Sequence, residues 1–220
     1  MDWIVLLHGW GGSKALMEPI AQGLDYSHIL NLDLPSFGEE KELEIADFKA
    51  YVPWLRKKLS EKGIKEPIFI AHSFGCRIAL LYALEYPVKG MVLTGAAGIK
   101  DILSLKQRLK IYAYKISKKC HIPLRFGSTD YQNASDYQKK ILVQAVNMDI
   151  SDELHRIACP VLLVFGSYDQ QTPLWMAKKL KDGLVNAELI VFDGGDHFAY
   201  LHEIQRFNRI CNIFIKEVMA

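Results

Sequence analysis

The chain has 220 residues, half of them apolar, and its 27 basic and 25 acidic side chains leave a formal net charge of +2. Those figures suit one α/β domain with a large core and argue neither for nor against nucleic acid; no nucleic-acid partner is expected. Cys76, Cys120, Cys159 and Cys211 form no CxxC pair and no zinc-ligand spacing, which reads as reduced thiols of an intracellular, cytoplasmic protein with no metal site and no cofactor.

Met1-Asp2-Trp3 leads straight into a core-like run with no signal-peptide pattern, and no apolar stretch approaches the ~18 residues of a membrane span. Residues 3–7 are continuously apolar, the pattern of a strand buried on both faces. The run stops at His8-Gly9-Trp10-Gly11-Gly12-Ser13, whose three glycines let backbone N–H groups point inward at a ligand. Such a loop serves as an oxyanion-hole loop with the Trp10 N–H as donor, or as no more than a flexible turn. It lacks the GxxxxGK pattern of a Walker phosphate loop. A helix is predicted over 14–24, then a strand over 28–34 that ends in Asp33-Leu34-Pro35-Ser36-Phe37-Gly38-Glu39. A helix over 45–62 follows, with Ala46, Trp54, Leu55 and Leu59 among its apolar positions.

The stretch Ile68-Phe69-Ile70-Ala71-His72-Ser73-Phe74-Gly75-Cys76-Arg77-Ile78-Ala79 begins as a β-branched apolar run and turns into a helical pattern, ending near Pro87. Ser73 sits at the junction, with small residues two places before and after it. That is the pattern of a nucleophile elbow, in which crowded strand and helix backbones require small neighbours. The helix start places free N–H groups and a positive dipole end where an oxyanion would develop. The plainer alternative is a strand-to-helix junction whose serine caps the helix.

A fourth strand is predicted over 88–95, and then the alternation breaks: residues 100–155 show helical patterns and no strand. Alternation resumes with a strand over 159–166, a helix from Pro173, a strand over 188–192 and a final helix over 198–218. This predicts an α/β fold, a mostly parallel sheet of about six strands with helices on both faces. Residues 1–99 and 156–220 form the core, and 100–155 form an inserted helical cap.

In a parallel sheet the loops at the C-terminal strand ends share one edge, so Ser73, Asp169 in Gly166-Ser167-Tyr168-Asp169, and His197 in Gly194-Gly195-Asp196-His197 are expected to converge. A serine hydroxyl needs a base to take its proton, a neutral imidazole is that base near pH 7, and a carboxylate orients the imidazole. Trp10 and Phe74 occupy the positions for two oxyanion N–H donors.

At this point the chain resembles the α/β-hydrolase superfamily. The match is carried by His8-Gly9-Trp10-Gly11, the 33–38 segment, Ala71-His72-Ser73-Phe74-Gly75, Gly166-Ser167-Tyr168-Asp169 and Asp196-His197-Phe198, in that order across nearly the whole chain. The resemblance implies a serine hydrolase of carboxylic esters, with Ser73, Asp169 and His197 as catalytic residues and Trp10 and Phe74 as oxyanion donors. The serine speaks against the related dehalogenases and epoxide hydrolases, which use an aspartate nucleophile. Three departures stand out. Ala71 replaces the first Gly of GxSxG; Asp196 stands where a Gly often precedes the histidine; and the family's usual first two strands are absent, which makes 28–34 an edge strand open to a weak homodimer.

Phe37, Trp175 and Phe198 are candidates to line an apolar substrate pocket. His8 and His72 read as structural, and His28, His121, His155 and His202 show no ligand spacing. Residues 100–140 are basic, with Lys106, Arg108, Lys110, Lys115, Lys118 and Lys119 above an apolar stripe of Leu105, Leu109, Tyr112 and Ile116. That face is a solvated surface, or a docking surface for a membrane or an acidic partner such as a carrier protein. The His-Gly-Trp-Gly loop also resembles that of the pimeloyl-carrier-protein methyl esterases. Alternatives to ester hydrolysis are thioester or carbon–carbon bond hydrolysis on the same fold, or a non-catalytic ligand-binding protein on the same scaffold.

Overall fold

The structure, a computed structural model, describes residues 2–100 and 129–220. Six strands, β1 Ile4–Leu7, β2 Ile29–Leu32, β3 Ile68–His72, β4 Gly90–Thr94, β5 Val161–Gly166 and β6 Ala187–Phe192, form one sheet. Its order is β2-β1-β3-β4-β5-β6 and every pairing is parallel. The four inner strands are buried along their whole length, which is why they read as continuous apolar runs. β2 lies at one edge of the sheet, as expected for the 28–34 strand.

Alternating side chains feed two core layers. Val5, Leu7, Phe69, Leu93, Leu163 and Phe165 pack towards α2 (Tyr51–Glu61), α3 (Phe74–Glu85) and α6 (Leu174–Gly183). Ile4, Leu6, Ile68, Ile70, Val92 and Val164 pack towards α1 (Glu18–Gly23), α7 (Ala199–His202) and α8 (Ile204–Met219). The sheet therefore carries helices on both faces, and the period of two along each strand decides which.

Three helix boundaries differ from the predicted ones. The 14–24 helix opens as a 3-10 turn, Lys14–Met17, before α1; Pro19, near the start of α1, has no N–H to donate back into that turn. The 45–62 helix starts late: Asp47 caps a 3-10 turn, Phe48–Ala50, by accepting from the Lys49 N–H, and Ile45 is exposed ahead of it. The final helix is broken at Glu203 into α7 and α8.

Much of the predicted insertion lies outside the described residues, including Cys120, His121, the basic residues from Lys106 to Arg125 and the stripe from Leu105 to Ile116. The described part is helical: α4 (Thr129–Asn133), α5 (Asp136–Asn147) and a 3-10 segment, Ser151–Arg156. Ser135 and Gln138 cap α5 reciprocally as a capping box. Among the described residues, no helix is long and apolar enough to cross a membrane.

Candidate active site

β1 and β3 are neighbours in the sheet, but the chain runs from β1 to β2 on one side before β3 joins the other. The loops after β1 and β3 therefore flank the crevice where strand order reverses, the place where open α/β sheets bind ligands. Register carries the other loops to the same edge, since His72 pairs with Thr94 and Thr94 with Val164.

Ser73 follows β3 with φ 50° and ψ −109°, a conformation that costs a non-glycine residue about 1–3 kcal/mol. The surroundings hold it there. Its N–H donates to the Thr94 carbonyl at 3.0 Å, and its carbonyl accepts from Cys76 N at 3.1 Å and Ala97 N at 3.3 Å. A Cβ on Gly75 would lie 2.5 Å from the Leu7 oxygen and 2.7 Å from the His8 oxygen, so only glycine fits where α3 passes β1. Ala71 sits fully buried in the core, its extra methyl accommodated. The Ser73 hydroxyl makes no cap bond to α3, contrary to what a serine kept for capping would do. Phe74 opens the helix, where the first amides have no intrahelical carbonyl to reach.

The 8–13 loop lies against this turn. A Cβ on Gly9 would fall 2.8 Å from the His72 ring and 3.3 Å from Ser73 Cβ. Gly12 N donates to the Gly9 carbonyl at 3.2 Å and Gly11 has φ +70°, as at the third position of a type II turn with Trp10 at the second. His8 fixes the loop to its neighbour: Nδ1 donates to the Gly9 carbonyl at 2.7 Å, and Nε2 accepts from Leu34 N at 3.0 Å. Those partners leave one proton on the ring, and burial lowers its pKa, keeping it neutral. Asp33 holds the adjoining segment by accepting from Lys14 N at 2.6 Å and Glu39 N at 3.0 Å. Burial would raise its carboxyl; these amides and the Lys14 charge outweigh burial and lower it. A side chain on Gly38, at φ +56°, would run into that carboxylate.

On the other side of Ser73, Asp169 and His197 are joined. Asp169 Oδ2 accepts from His197 Nδ1 at 2.7 Å, and the two residues are 4% and 6% exposed. That bond puts the ring proton on Nδ1 and leaves Nε2 with a lone pair. Three further donors hold the carboxylate: Gln171 N at 2.8 Å, Thr172 N at 2.9 Å and Thr172 Oγ1 at 2.7 Å. Burial pushes the Asp169 carboxyl up; the bonds from His197 and Thr172 outweigh it and hold the pKa below the ordinary carboxylate value. The His197 ring lies over Gly95, where an added Cβ would come within 3.0 Å of both Cε1 and Nδ1. Ser73 Oγ makes no hydrogen bond to His197 in this structure.

A family model described as the alpha/beta hydrolase family matches residues 4–210. The chain belongs to that family and is an α/β-hydrolase enzyme. It is 24% identical over 93% of its length to a pimeloyl-[acyl-carrier protein] methyl ester esterase of Vibrio vulnificus, covering 90% of that protein. It is 25% identical over 97% of its length to a 2-hydroxy-6-oxononadienedioate/2-hydroxy-6-oxononatrienedioate hydrolase of Paraburkholderia phymatum, covering 87% of it. An esterase from Exiguobacterium antarcticum has the same fold, with a TM-score of 0.77 at 18% identity over 100% of this chain and 92% of that one.

Asp196, the departure beside the histidine in this α/β hydrolase, turns away from the ring. Its carboxylate accepts from Phe198 N at 2.8 Å and lies 3.6 Å from His202 Nδ1. His72 packs against His197, Tyr200 and Phe198, at ring-centroid distances of 4.7, 4.7 and 5.2 Å, and faces the Thr94 carbonyl at 3.2 Å through Nδ1. Phe37 is 7% exposed, with its ring 5.0 Å from that of Trp10 and 6.3 Å from that of Phe74. Trp175 and Phe198 are 37% and 36% exposed.

Thr172, Gly95 and Thr94 escaped the sequence reading. Thr172 carried a signal: an Asp whose carboxylate takes the amides two and three residues on, in Asp169-Gln170-Gln171-Thr172, is a local turn pattern. Gly95 and Thr94 carried none, because their importance lies in what crosses the strand end above them. Among the described residues, no group of His, Cys, Asp and Glu could hold a metal ion.

Proposed function

We propose that this hydrolase cleaves carboxylic esters through Ser73, His197 and Asp169. The observation that carries the reading is the buried Asp169–His197 pair beside a strained serine whose hydroxyl is not used as a helix cap. His197 Nε2 takes the Ser73 proton as Oγ attacks the acyl carbon. The N–H groups of Trp10 and Phe74 receive the oxyanion, and each such donor typically lowers a barrier by ~3–4 kcal/mol. His197 returns the proton to the departing alcohol, then activates water to release the acyl group from Ser73. Asp169 holds the imidazole in the Nδ1–H form and stabilises its charge in the transition state. The bond from Ser73 to His197 closes when substrate binds, as catalytic hydrogen bonds commonly do.

The ester reading draws on the Vibrio esterase, and the stretch 100–155 is assigned as the cap that shapes the pocket, with Trp175 and Phe198 at its rim. An acidic carrier protein docking on the basic 100–140 face is the partner this reading suggests; pulldown of a carrier protein, abolished by reversing those lysine charges, tests it. The Paraburkholderia relative supports a second reading, carbon–carbon bond hydrolysis by the same three residues. Short-chain nitrophenyl esters separate the two: wild type turns them over and Ser73→Ala does not if the first holds. Turnover of a vinylogous diketone alone favours the second.

A further inference from the structure

Arg77 lies one turn beyond Ser73 on α3, and its side chain is almost fully enclosed, at 5% exposure. A buried guanidinium is costly unless its donors are used, and burial lowers its pKa to about 10. Its Nη1 donates to the Met148 carbonyl at 2.6 Å. Met148 is the residue at which α5 ends and the chain turns back towards the sheet.

The same junction is tied once more, where Ile150 N donates to the Gly98 carbonyl at 3.2 Å. The outgoing chain at Gly98 is thus fastened to the returning chain at Ile150, and Ala97, next to Gly98, is itself bonded to the Ser73 carbonyl. Further out, α5 is laced to the segment behind the oxyanion loop. Gln138 Nε2 donates to the Ser36 carbonyl at 2.9 Å, and Gln144 both accepts from Phe48 N and donates to the Ala46 carbonyl at 2.9 Å. Phe48 in turn packs 5.2 Å from Phe74.

We infer that Arg77 is a positioning residue that pins the returning end of the 100–155 insertion to the helix beginning at Ser73, and so sets where α5, taken in this inference as one wall of the substrate pocket, stands relative to the reacting serine. This rests on the ester reading only for its activity readout. A catalytic role would slow every substrate; a pin on the wall alters substrates that reach the wall and spares those that do not.

The test compares wild type with Arg77→Met and Arg77→Lys by amide hydrogen exchange and by hydrolysis of nitrophenyl acetate and octanoate. In Arg77→Met, exchange across 136–150 is expected to rise about tenfold or more while β3 stays within about twofold. KM for the octanoate is expected to rise about tenfold, with kcat on the acetate within about threefold of wild type. Arg77→Lys, which keeps a donor and the charge, recovers part of both. Should Arg77→Met fail to fold, Asp149→Asn, which removes from an exposed position the negative charge that favours the Arg77 guanidinium, is expected to show the same pattern more weakly. Equal loss on both esters, or unchanged exchange over 136–150 in a folded variant, overturns the inference. If wild type hydrolyses no ester, the ester reading falls, while the exchange comparison still decides the role of Arg77.

Discussion

His72 and His197 lie ring against ring, with centroids 4.7 Å apart, yet each is bonded to a different kind of acceptor. His197 donates its Nδ1–H to the Asp169 carboxylate at 2.7 Å. His72 faces a backbone carbonyl, and burial first, then the neighbouring His197, lowers its pKa to about 3. His72 is therefore neutral near pH 7.

That neutrality has a sign in stability. Below the ordinary histidine pKa of 6.5 the unfolded chain takes up a proton that folded His72 refuses until about 3. Stability therefore falls as pH drops through that window, by up to ~1.4 kcal/mol per pH unit from this residue. His72→Phe keeps a ring and removes the proton site, so urea midpoints measured at about pH 7 and pH 4.5 should converge. Some slope remains from His8, whose pKa is lowered in the same direction. An undiminished slope in His72→Phe contradicts this assignment.

Gly95 carries the His197 ring. Its φ of +52° and the 3.0 Å separation of a hypothetical Cβ from two ring atoms leave an alanine methyl no room. Gly95→Ala should lower kcat by at least about tenfold, because a displacement of ~1 Å in a reacting group costs that much or more. Circular dichroism distinguishes a displaced ring from an unfolded chain.

The Thr172 hydroxyl donates to the carboxylate oxygen that also holds His197, at 2.7 Å. Thr172→Val preserves shape and removes the donor, and a bond to a charged group is worth about 1.5–3 kcal/mol. The melting temperature should fall accordingly, and activity should fall less than in Asp169→Asn, which frees the imidazole to adopt the other tautomer and is expected to lose about three to four orders of magnitude in kcat.

Trp10 tests the oxyanion assignment through its backbone. It holds the second place of a turn that tolerates proline. Trp10→Pro removes the N–H and should cost about two to three orders of magnitude in kcat. Trp10→Phe keeps the N–H and a ring against Phe37 and Phe74, and should stay within about tenfold of wild type.

The sheet was legible because its inner strands are buried on both faces, so each is a largely apolar run that ends at a glycine-containing loop. That the loops bearing Ser73, Asp169 and His197 leave the sheet at one edge was legible, because parallel strands deliver their following loops there whatever the sequence distance between them. The start of the 45–62 helix was not: Ala46 fits the helical period, but Asp47 captures the next amides and starts the turn later. Gly95, Thr94 and Arg77 were invisible for a related reason. Each matters through a partner from another strand or loop, and no spacing along the chain encodes that contact.

If one activated serine performs the chemistry, intact-protein and peptide mass spectrometry after treatment with a fluorophosphonate will find it. A single adduct on Ser73 is predicted, absent in Ser73→Ala and formed far more slowly in His197→Gln. Labelling at another residue, or labelling of Ser73 at an unchanged rate without the imidazole, would contradict the account.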